Sequence, residues 1–78
     1  MIKPEQLWNA IVNIAKWRGM SCSGLAKFSG LDATTFNKSK RITKYGTYKW
    51  PSTLSLAKVL SAVDLSLGEF ASRFMPKD

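Results

Sequence analysis

The segment from Ser21 to Arg41, SCSGLAKFSGLDATTFNKSKR, constrains the fold more than any other part of this chain, because it reads as two short helices joined by a tight turn. Ser21 is a good N-cap, and Leu25 and Ala26 face inward on the helix it opens. Gly30 ends that helix, since glycine takes the left-handed conformation of a C-terminal cap without steric cost. Leu31 plugs the turn. Asp32 can cap the next helix, accepting from the backbone N–H of Thr34 or Thr35 with the helix dipole favouring its charge. A second helix is therefore expected from about Ala33. Its only large apolar residue is Phe36, so Thr34, Thr35, Asn37, Lys38 and Ser39 have nothing to bury, and a helix with one inward anchor suits contact with a partner. Helices crossing steeply through so short a turn approach closely near Ala26, where a bulky side chain would collide with Phe36 or the backbone beside it.

The remainder reads as scaffold. Pro4 suits the first turn of a helix in which Leu7, Ile11, Ile14 and Ala15 form an apolar stripe, widened by Trp8 and Val12 and stopped at Gly19. A fourth helix begins near Ser52 with Leu56, Val59, Leu60 and Val63 inward. A fifth follows the capping-box pattern from Ser66 to Glu69, with Leu67, Phe70, Ala71 and Phe74 on one face. The fold class expected is all-α, a compact five-helix bundle whose helices 2 and 3 form a helix-turn-helix at about 21–40. With 78 residues the chain is one domain, 1–78, whose single core is worth roughly 3 to 5 kcal/mol. A short helix such as the fifth buries two phenylalanines with difficulty, so part of Phe70, Phe74 and Met75 is a candidate dimer surface. The last four residues, MPKD, read as a frayed end.

Charge is both large and uneven. The net charge is +7, and between Ala33 and Val63 the basic residues Lys38, Lys40, Arg41, Lys44, Lys49 and Lys58 meet no acidic one. Such a run is often just a solvated face, but its adjacency to a polar helix points to a polyanion. Tyr45, Tyr48 and Trp50 are interleaved with these cations in RITKYGTYKWP, where a short extended hairpin or ordered loop at 41–50 is expected around Gly46. Trp50, extended because Pro51 follows it, is expected to lid the core. For Tyr45 and Tyr48 two readings stand, a phosphate ligand or a half-buried surface group.

No apolar run approaches the roughly 18 residues of a membrane span, and MIKPEQLW lacks a signal-peptide core, so a cytoplasmic protein with no membrane partner is expected. A lone cysteine, Cys22, agrees with a reducing compartment. With no histidine, five scattered acidic residues and no phosphate-cradling or metal-ligand spacing, the chain lacks the parts of an active site, and neither a catalytic residue, a metal nor a cofactor is expected.

From about Glu5 to Phe74 the chain resembles the helix-turn-helix DNA-binding domain of lambda-type (Xre-like) phage repressors. The segments LAKFSGLDATTFNKSKR and WPSTLSLAKVLSAVDLSLGEF look especially like the N-terminal domain of the self-cleaving phage repressors. The resemblance implies a transcriptional regulator that reads the major groove of double-stranded DNA with its third helix. By position it implies base contacts at Ala33, Thr34 and Lys38, with Asn37 nearby. Ala33 can offer only a methyl, so hydrogen-bonded readout falls to Thr34 and Lys38, the latter able to donate to guanine O6 or N7. Thr35 is expected on a phosphate. Cys22 falls where such repressors often carry a phosphate-contacting polar residue, a role that Ser21 or Ser23 could assume. Lys40, Arg41, Lys44 and Lys49, with Tyr45, complete the expected phosphate contacts. A two-fold operator is expected, with a homodimer assembling on the DNA. The alternative from another class is a protein-interaction module, antitoxin-like or anti-regulator, on the same fold. Binding of RNA or a membrane surface through the basic loop alone is a third reading, less favoured because no aromatic platform on a sheet is evident.

Overall fold

In the computed structural model, which describes residues 2–75, the chain forms four α-helices: α1 (Pro4–Trp17), α2 (Cys22–Phe28), α3 (Thr53–Ala62) and α4 (Leu67–Phe74). Their starts follow the side chains that can satisfy a first turn. Ser21, Ser52 and Ser66 each accept, through Oγ, the N–H three residues on, at 3.0, 3.0 and 3.1 Å. At α4 the capping box closes, with Glu69 Oε1 accepting from the Ser66 N–H at 3.1 Å. At α1 the side chain of Gln6 does the same for the Lys3 N–H at 2.8 Å.

Three helices stop in one way. The N–H groups of Met20, Leu31 and Leu65 reach back to the carbonyls of Ala15, Ala26 and Leu60 at 2.8, 2.8 and 2.9 Å. This closure requires a left-handed residue just before each donor. Gly19 and Gly30 supply it at φ 69° and 77°, and after α3 the residue is Asp64, at φ 58°.

α1 packs against α2 and α4, and α2 against α3. Ile11, Ile14, Leu25, Ala26, Phe36 and Val59 are almost wholly buried between them, joined by Trp8, Ala15, Leu60, Val63, Leu65 and Phe70. Ala26 thus sits where the steep crossing demanded a small residue. Leu67 and Ala71, expected inward, are instead exposed, while Phe70 alone fills the core-facing position of α4. Phe74 folds back, half-buried, onto Trp17 with ring centroids 5.7 Å apart. Apart from Met75, the expected frayed end MPKD lies outside the described residues.

The five-helix expectation is corrected at 33–39. No α-helix forms there: residues 33–36 make a turn and Lys38–Lys40 a single turn of 3-10 helix. The cause is local competition for the backbone. Thr35 donates both its N–H (3.0 Å) and its hydroxyl (2.7 Å) to the Asp32 carbonyl, and Asn37 donates to the Thr34 carbonyl at 3.1 Å, so the bonds span three residues rather than four. The Phe36 carbonyl, which an α-helix would offer to Lys40, is taken by the Arg41 guanidinium, and Asn37 is extended at ψ 148°.

The expected hairpin or loop at 41–50 is a narrow hairpin with one antiparallel bridge, Ile42 to Tyr48. No helix among the described residues is long and apolar enough to cross a membrane.

Candidate nucleic-acid interface

Residues 32–41 form an irregular but tightly bonded ridge following α2. Its single deep anchor is Phe36, 0 % exposed, whose ring meets that of Trp8 edge-on at 6.3 Å between centroids. Asp32 Oδ1 accepts from the Thr34 N–H at 2.9 Å and from the Thr34 hydroxyl at 2.8 Å. The backbone N–H bond from Thr34, then its hydroxyl, then the charge of Lys40 hold the Asp32 carboxyl below its ordinary range.

The expected base-contacting residues divide accordingly. Ala33 is half-buried. Thr34 is exposed, but its hydroxyl proton is committed to Asp32 and only its oxygen can accept. Asn37 and Lys38 are exposed, and among the described residues neither side chain enters the bonds that shape the ridge. Hydrogen-bonding capacity therefore concentrates at Asn37 and Lys38.

The expected phosphate contacts divide as well. Lys40, Lys44 and Lys49 are exposed, as is Ser23. Ser21 is exposed too, yet its Oγ accepts the Gly24 N–H at the start of α2 and lies 3.3 Å from Ser23 Oγ. Thr35 turns its hydroxyl to the Asp32 carbonyl. Arg41 is engaged inside the fold. Its Nε and Nη2 both donate to the Phe36 carbonyl, at 3.0 and 2.7 Å, Nη2 lies 3.7 Å from Cys22 Sγ, and the guanidinium carbon is 5.7 Å from the Trp8 ring centroid. The ridge, the start of α2 and α1 meet at this one side chain, which acts first as a clamp.

Trp8 is the organising residue that its place on the α1 stripe did not reveal. Besides meeting Phe36 and Arg41, its indole N–H donates to the Lys49 carbonyl at 2.8 Å and so ties the returning strand of the hairpin to α1. That bond explains a second correction: Trp50 does not lid the core but stands 58 % exposed, because the chain is fastened here by the Lys49 backbone and not by the next ring. Tyr48 faces α1, and hydrogen bonding to Glu5, with the carboxylate's charge, pushes its hydroxyl above the ordinary phenol value.

The other two arginines are also stacked on rings. Arg73 lies 4.7 Å from the Trp17 centroid and 5.5 Å from Phe74, and Arg18 lies 5.6 Å from Trp17 and 5.9 Å from Phe28. This cluster joins the C-terminal ends of α1, α2 and α4, while the exposed cations of residues 38–49 are all lysines, the clamping Arg41 being half-buried.

No family model, curated protein or solved structure matches this chain.

Proposed function

We propose that this domain is a sequence-specific double-stranded DNA-binding regulator of the phage-repressor type, presenting the 33–40 ridge to the major groove. The observation that carries the reading is the ridge itself: a polar, exposed segment with one buried anchor, followed at once by exposed lysines. A major groove about 12 Å wide admits a protruding backbone segment, and base edges there offer distinct patterns of donors and acceptors. Asn37 can bond an adenine edge through both ends of its amide, and Lys38 can donate to guanine. Thr34 can accept from a cytosine amine. Lys40, Lys44 and Lys49 then neutralise phosphates, and two copies on two half-sites complete a two-fold operator.

Selection of bound duplexes from a random pool, followed by footprinting, tests this. A two-fold motif is expected, with Asn37→Ala and Lys38→Ala changing the preferred bases and Lys49→Ala weakening all sequences alike. Three phosphate-neutralising lysines, 40, 44 and 49, imply a slope of log K on log salt of about −2.7 per monomer, or roughly a 40-fold loss between 50 and 200 mM salt. No enriched sequence together with a flat salt dependence would overturn the reading in favour of a protein-interaction module.

A further inference from the structure

Beyond the ridge, the hairpin carries the most solvent-exposed of the large hydrophobic side chains. Tyr45 is 80 % exposed at the tip. A bulky ring held in water on a floppy loop would need no explanation, but this tip is stiff. The Thr43 N–H donates to the Thr47 carbonyl at 2.7 Å, and the Gly46 N–H to the Thr43 carbonyl at 3.0 Å. The Thr43 and Thr47 hydroxyls bond each other at 2.8 Å, and Thr43 Oγ1 also accepts from the backbone N–H of Tyr45 and of Thr47 at 3.2 and 3.3 Å. Gly46 sits at φ 82°, where a side chain would be strained. A preorganised tip loses little conformational entropy when it meets a partner.

The root is as firmly held. Arg41, at the base of the outgoing strand, is bonded to the Phe36 carbonyl of the ridge, and Lys49, on the returning strand, to Trp8 of α1. Ridge and hairpin are thus parts of one rigid unit. The cation beside the ring is Lys44, its ammonium 5.1 Å from the Tyr45 centroid, and no acidic residue lies anywhere between Ala33 and Val63. A positively charged tip of this kind favours a polyanion over an acidic-residue-poor protein surface.

We propose that the hairpin is a second DNA-contacting element, which places the Tyr45 ring in the minor groove beside the major groove entered by the ridge. This rests on the duplex-binding reading above. Tyr45 lies beyond the Ile42–Tyr48 bridge, in the turn that the Gly46 N–H closes onto the Thr43 carbonyl, so the hairpin displays the ring at its tip, where a protruding element can cross one sugar-phosphate strand to the neighbouring groove. The minor groove, about 6 Å wide and strongly negative, takes a ring edge-on, with Lys44 at its phosphate wall and the phenol hydroxyl donating to adenine N3 or thymine O2. A stacking platform for unpaired bases is the poorer fit, because among the described residues no second ring packs beside Tyr45.

The experiment uses the duplex recovered by selection and two derivatives altered outside the half-site bases. Diaminopurine in place of adenine adds an amino group to the minor-groove edge, inosine in place of guanine removes one, and both leave the major-groove edge unchanged. Tyr45→Ala, at so exposed a position, should melt like the parent. It is expected to bind the plain duplex about tenfold more weakly with the salt slope unaltered, whereas Lys44→Ala should make the slope shallower by about 0.9. Diaminopurine is expected to weaken the parent protein and leave Tyr45→Ala unaffected, and inosine to do neither harm. Parent binding that Tyr45→Ala leaves intact, or a diaminopurine effect equal in both proteins, overturns the minor-groove assignment while the ridge reading stands. A parent protein that binds no duplex removes both.

Discussion

Where α1 meets α2 and α4, the interior is closed by Ile11, Ile14, Leu25 and Phe70, whereas residues 32–50 send one fully buried ring, Phe36, into the core and otherwise keep their shape by side chains bonding to backbone. The first region depends on volume and the second on donors and acceptors. Burial is non-directional and tolerates exchange among apolar residues of similar size. A hydrogen-bonded ridge holds a defined surface with little core, but each bond has a specific partner and fails with it. A domain that must display polar residues in fixed positions has reason to use both.

Phe36→Ala tests the comparison hardest, because Phe36 is the one point where the second region relies on the force that holds the first. A cost of about 3 to 5 kcal/mol is expected, comparable to the whole stability of so small a domain. Thermal unfolding followed by circular dichroism should show it largely unfolded at room temperature. A stable domain would mean that the ridge hangs on hydrogen bonds alone.

Arg41→Lys separates clamp from phosphate contact while keeping the charge. Lysine cannot give two donors in a plane to the Phe36 carbonyl, so a loss of about 1.5 to 3 kcal/mol is expected in denaturant unfolding, with amide protection falling first in residues 36–49. Unchanged stability with weakened DNA binding would assign Arg41 to the interface instead.

The smallest effect concerns pH. The carboxyls of Asp32 and Glu69 are held below their ordinary values by bonds to the N–H of Thr34 and Ser66. Their contribution is complete above the unfolded value and disappears as pH falls below about 4. The Tyr48 hydroxyl, raised by Glu5, contributes below its unfolded value and loses that contribution as pH rises above about 10. Melting temperature against pH should therefore slope at both ends and be flat between. Asp32→Asn should flatten the acid limb, with amide exchange changing in the ridge and not in α1.

How much of this was legible in the sequence differed between the two regions. Starts at Ser21, Ser52 and Ser66, stops at Gly19 and Gly30, and the inward residues Ile11, Ile14, Val59 and Phe70 could all be read directly, as could the Asp32 bond to Thr34 and the hairpin around Gly46. The ridge misled: a pattern of cap, polar residues and one aromatic reads as a helix, yet the same Asp, Thr and Asn side chains that make good caps also compete for the backbone. Exposure at Leu67 and Trp50 was hidden too, since it depends on what else already fills the adjoining space.

By itself the sequence determined the helical punctuation and a basic stretch free of acidic residues, because caps, periodicity and charge act within a few neighbours along the chain. Only the tertiary structure decided that Arg41 is a clamp reaching α1 and α2 and that Trp8 fastens the hairpin. Those outcomes turn on partners 19 residues apart, from Arg41 to Cys22, and 41 apart, from Trp8 to Lys49. Contacts of that span exist once the helices have packed, and no local preference encodes which carbonyl a distant side chain will find.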